Sequence, residues 1–107
     1  MPFPPERNHK VSLEAAAALT RGYREFAPKG SQLASMFPRD VFDRLLAQPG
    51  CAGIRIYSGR NERRVHELVL VAVDADANDM TQGELFDFGL PCPPYCGGGT
   101  VLNGEQA

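Results

Sequence analysis

Apolar residues along this chain change their spacing near its middle. Between residues 11 and 27 they recur with helical period: Leu13, Ala16, Thr20, Tyr23 and Ala27 share a stripe, with Leu19 and Phe26 beside it. Arg21, Arg24 and Glu25 fall towards the other face. Ser12 suits the N-cap, and Glu14 lies in the first turn, where a negative charge meets the positive end of the helix dipole. Pro28 and Gly30 stop this helix. A connector over 28–37 follows, with a helical turn expected at Gln32-Leu33-Ala34-Ser35-Met36. Pro38 suits the start of a second helix, with Val41, Phe42, Leu45 and Leu46 as its apolar stripe and Pro49-Gly50 as its end.

The period then becomes two. Gly53-Ile54-Arg55-Ile56-Tyr57 alternates as a half-buried strand does, and Val65 to Val73 is a second, longer strand, apolar on both faces from Leu68 onward. Ser58 to Arg64 reads as the turn between them. Centred near Asn61-Glu62, it sets Ile54 opposite Leu70, Ile56 opposite Leu68 and Cys51 opposite about Val73. Val69 and Val71 point to the other face, beside Tyr57. Asp74 to Asp79 is a turn sequence, and Glu84 to Phe88 a short third strand. The pattern predicts an α+β fold: two N-terminal helices, then an antiparallel β-hairpin or three-stranded meander, then an irregular Cys-Pro tail. The expected organisation is a flexible lead-in over 1–10, a single domain over 11–90 and a Cys/Pro/Gly-rich tail over 91–107.

With 107 residues, 43% of them hydrophobic, one core is feasible and a deep ligand cavity is not. A net charge of −2 makes no electrostatic case for nucleic acid. No run is long and apolar enough for a membrane span. The first residues, with three prolines and no apolar core, do not read as a signal peptide, which favours a cytoplasmic setting. No Ser-His-Asp signature, phosphate-cradling glycine loop or HExxH motif is present, and no cofactor is expected.

The least generic segment is Cys92-Pro93-Pro94-Tyr95-Cys96-Gly97. A turn at Pro94-Tyr95 can bring the two cysteines within disulfide reach, although the proline after Cys92 biases that residue to extended backbone. A bridge here is expected to be easily reduced, and the CxxC spacing of redox catalysts is absent. A four-ligand zinc site would need Cys51, Cys92, Cys96 and a histidine. In the expected register His66 lies about 23 Å from Cys51 along the hairpin, too far to share an ion, which leaves His9 on the lead-in. Asp74, Asp76 and Asn78 match the start of a calcium loop, but Asp79 and Leu85 break the pattern, and a turn is the better reading. Arg55, Arg60, Arg63 and Arg64, interleaved with Glu62 and Glu67, read as a solvated hairpin end.

The segments Pro49-Gly50-Cys51-Ala52-Gly53-Ile54-Arg55-Ile56-Tyr57, Leu68 to Asp74, Asn78-Asp79-Met80 and Cys92 to Gly97 resemble a small uncharacterised bacterial protein family. The resemblance covers residues 11–103. It implies that the tail belongs with the domain and that the setting is bacterial and cytoplasmic, and it carries no functional residue over.

A strand apolar on both faces needs a second cover, and a rigid Pro-Pro-Tyr segment binds at low entropic cost. The expected function is therefore a non-enzymatic protein-interaction module that self-associates through its β-sheet. Its contact residues would be Val69, Val71, Pro93, Pro94 and Tyr95, and its partner a second copy, although Pro93-Pro94-Tyr95 reads more readily as a tail packed back on its own domain. The alternative is a thiol-based function, metal binding or a redox switch, at Cys51, Cys92 and Cys96. An enzyme built on Asp74, Asp76, Asp79 and an arginine ranks below both.

Overall fold

The computed structural model describes residues 7–104, so the parts of the expected lead-in and tail at 1–6 and 105–107 lie outside the described residues. The chain is an α+β protein of two helices, a three-stranded antiparallel sheet and a two-stranded sheet. It divides into two compact units. One is continuous, over residues 37–90. The other joins residues 7–36 to residues 91–104.

In the continuous unit, helix α2 runs Arg39–Leu46 with Pro38 at its N-cap. Its expected stripe is half realised: Val41 and Leu45 are buried, while Phe42 and Leu46 stay exposed. Strands β2 (Gly53–Arg60) and β3 (His66–Val73) form the hairpin, and β4 (Leu85–Phe86) pairs with the far side of β3. The order β2-β3-β4 is a meander.

The register differs by two residues from the expected one. Ile54 lies opposite Ala72 and Ile56 opposite Leu70. Asn61 is the reason. Its backbone N–H donates to Val65, and its Oδ1 accepts from the N–H groups of Arg63 and Val65 at 2.9 and 3.1 Å. Arg64 supplies the left-handed residue this wider loop needs (φ 64°). A two-residue slip preserves side-chain parity, so Ile54 and Ile56 still share the face of Leu68 and Leu70. That face packs on α2: Val41, Leu45, Leu70 and Ala72 are the buried core, ringed by Phe37, Cys51, Ile54, Leu68, Met80 and Phe86. Arg44 ties α2 to the sheet, pairing with Glu84 and stacking on Phe86 with its guanidinium 5.4 Å from the ring centre.

The unit formed from the two chain segments contains helix α1 (Leu13–Phe26), β1 (Ala34–Met36) and the strand β5 (Leu90–Cys92), which pairs with β1. Ser12 caps α1, its Oγ accepting the Ala15 N–H at 3.0 Å, and extended backbone at Ala27 ends the helix. Two expectations are corrected here. Residues 34–36 are strand, not helical turn, and the tail is not wholly irregular, because each supplies the other's backbone partner. The Leu33 N–H donates to the Cys92 carbonyl at 2.7 Å. A side-chain bond from Arg24 to the Leu102 carbonyl at 2.8 Å holds the tail further along.

Candidate functional site

Cys92 and Cys96 are joined as a disulfide, with Cα atoms 4.7 Å apart. Cys92 is the last residue of β5 and is buried, whereas Pro93, Pro94 and Tyr95 are exposed. Both proline bonds in the loop are cis, and the Tyr95 N–H donates back to the Pro91 carbonyl at 2.8 Å. The bridge thus presents the Pro-Pro-Tyr segment as a small closed loop on the end of a strand. Cys51 is a free, half-buried thiol in the 37–90 unit, donating to the Gly53 carbonyl at 3.3 Å. While the bridge stands, Cys92 and Cys96 offer no thiolates to a metal. Among the described residues no group of three or more His, Cys, Asp or Glu side chains is placed to hold a metal ion.

A polar cluster unforeseen from the sequence lies on the sheet face away from α2. Residues 55 and 57 share a face of β2 by alternation, and the 74–79 turn carries Asp79 back beside them. Arg55 Nη1 donates to Asp79 Oδ1 at 2.6 Å and Nη2 to the Ala77 carbonyl at 3.3 Å, while the Tyr57 hydroxyl donates to Asp79 Oδ2. Tyr57 and Asp79 favour the charged guanidinium and raise the Arg55 pKa. Within the turn, the Asp74 carboxylate accepts the backbone N–H groups of Asn78 and Asp76 at 3.0 and 2.9 Å, and these hold its pKa below the usual carboxylate range. Asp74, Asp76 and Asn78 thus close a turn, as the sequence reading preferred. Asp79 and an arginine do meet, as a clasp holding the turn to the strand.

Glu67 and Asp87 form a second pair. A hydrogen bond to Asp87, then burial and the Asp87 charge, push the Glu67 pKa up against the opposing pull of Arg63. One oxygen of Asp87, Oδ1, is buried with no partner. A raised carboxyl pKa means that the protonated Glu67 is the form the fold favours. Its contribution is present at low pH and is lost as pH rises through that raised value. Glu67→Gln keeps a hydrogen-bond donor without the charge. It is expected to flatten the dependence of stability on pH, with a higher urea midpoint than the wild type at about pH 7 and little difference at about pH 4. Equal midpoint shifts at both pH values would contradict the raised Glu67 pKa.

Of the expected contact residues, Val69 is half-buried and Val71 only 1% exposed, whereas Pro93, Pro94 and Tyr95 lie in solvent. Compared with known proteins, the chain matches no family model, no curated protein and no solved structure. No helix among the described residues is long and apolar enough to cross a membrane.

Proposed function

We propose that the protein is a small interaction module that binds another polypeptide, and that a second copy joins it through the β-sheet. The outer edge of β2 carries the reading. This strand pairs with β3 along its eight residues and ends the order β2-β3-β4, so its other edge meets no strand among the described residues. Ile56 on that edge is 55% exposed, and the strand holds no proline to block pairing. Antiparallel addition of a second β2 would satisfy the open backbone groups and cover Ile56. On the opposite face Tyr57 and Val69, which lie directly across from one another, would carry the contact in place of the buried Val71. The exposed Pro93, Pro94 and Tyr95 loop would be a further contact.

The expected result is a mass above that of one chain by light scattering at about 50 µM, lowered by one step in Ile56→Lys, since a lysine on a strand edge blocks edge pairing. A wild type that stays monomeric at that concentration overturns self-association.

The disulfide favours a second reading, a thiol switch at Cys92 and Cys96 with Cys51 as the free thiol. A bacterial cytoplasm, the setting that goes with this proposal, keeps thiols reduced. A bridge formed there would be a transient, switching one.

A further inference from the structure

Helical spacing puts Thr20 and Tyr23 on one side of α1, with Leu19 and Arg24 flanking them. These four residues, Leu33 of the connector and Leu102 of the tail line a cavity of about 180 Å³. All six belong to the unit made from residues 7–36 and 91–104, so the cavity is formed within that unit alone.

The hydroxyls of its wall are committed within the chain. Thr20 donates to the Ala17 carbonyl and Tyr23 to the Gln32 carbonyl, both at 3.2 Å. Arg24 is the exception. It is half-buried, and its Nη1 donates to the Leu102 carbonyl at 2.8 Å. The Gly104 backbone closes on its other side, where an added Cβ would lie 2.7 Å from Nε. The tail thus holds the guanidinium from two directions. Among the described residues, however, no carboxylate pairs with Arg24 and its Nη2 has no partner. A guanidinium is a fork of five N–H donors shaped for a carboxylate, and a partly buried cation without an anion is left uncompensated. A second hollow adjoins the first, sharing Arg24 and Leu33. It adds Lys29 to the lining and no acidic residue.

We propose that this cavity binds a small aliphatic carboxylate. Its oxygens accept from Arg24, and its hydrocarbon chain lies among Leu19, Tyr23, Leu33 and Leu102. An apolar cavity of roughly 150 Å³ admits benzene, so a tail of about four to six carbons suits the 180 Å³ here. Lys29 adds to the positive potential at the Arg24 end. The charge selects an anion, and the walls select an anion with an apolar tail. This site is separate from the β2 edge, which belongs to the other unit.

The test is titration of the full-length, ¹⁵N-labelled protein with sodium hexanoate, hexanol or sodium acetate, followed by amide chemical shifts. Hexanol keeps the chain without the charge, and acetate keeps the charge without the chain. Hexanoate is expected to saturate with a dissociation constant of about 1 mM, in range for a ligand of eight heavy atoms. The shifts should centre on Thr20, Tyr23, Arg24, Leu33 and Leu102, and binding should be at least about tenfold tighter than for either control. Arg24→Gln is expected to weaken hexanoate about tenfold and to leave hexanol unchanged, with Arg24→Lys, which keeps the charge but not the fork, falling between. Hexanoate that binds no tighter than hexanol overturns the carboxylate contact. Hexanoate that binds no tighter than acetate overturns the apolar one. No saturation by about 20 mM, or shifts confined to residues 37–90, overturns the site itself. The three-probe comparison needs only the wild type, so a variant that fails to fold does not shield the proposal. Light scattering reports self-association separately, so either proposal can fail alone.

Discussion

Leu45→Ala is expected to destabilise the protein by about 2–5 kcal/mol, the range for emptying a buried leucine site. Leu45 is fully buried, and among the described residues Val41, Leu70 and Ala72 are the buried residues that share its core. The site has little means of closing over the loss. On one side Leu70 and Ala72 are held by a hairpin ladder paired along eight residues, and on the other the α2 backbone is tied to the sheet through Arg44. A small domain has about 5–15 kcal/mol of stability in all, so the variant sits at the edge of folding. Urea denaturation is expected to show a large fall in midpoint with an unchanged slope. Leu46→Ala, one position along on the exposed face, should shift stability by no more than about 0.5 kcal/mol. Similar effects at the two positions would contradict the core assignment.

The second large effect is expected at the disulfide. Closing a loop of this length removes unfolded-state freedom worth about 2 kcal/mol in the chain-entropy account. Cys96→Ser should cost that amount, and a dithiol reductant acting on the wild type should cost the same. The loss falls on the unit made from residues 7–36 and 91–104, because Cys92 accepts the hydrogen bond of the Leu33 amide. Hydrogen exchange at Leu33 is therefore the local reporter. It should quicken in Cys96→Ser and in the reduced protein, while amides of β3 in the other unit keep their protection. Exchange at Leu33 that ignores the redox state would show that the bridge does not hold β5 in place, and would remove the structural basis for a thiol switch.

Parity was legible in the sequence and distance was not. The alternation in Gly53 to Tyr57 and the apolar run to Val73 identify the two strands and the faces their side chains share. The register depended on how many residues the Asn61 side chain could close over, which strand periodicity does not encode. For α1 the spacing predicts a stripe through Leu13, Ala16, Thr20, Tyr23 and Ala27, yet periodicity records which residues are apolar, never what covers them; no residue of the helix is buried, and Leu13, Leu19 and Phe26 remain in solvent. Ala34-Ser35-Met36 is too short and too neutral to announce a strand, and its partner is remote in sequence. The Asp79 clasp needed the true length of the 74–79 turn before Arg55 and Tyr57 could be joined to it. The alternation placing those two on one face was the only signal in the sequence.

The discontinuous unit has a consequence for biosynthesis. Its strand β1 leaves the ribosome well before β5, the strand that completes it, and the whole 37–90 unit is made in between. At ~5–20 residues per second, Ala34–Met36 waits about 3–10 s for a partner.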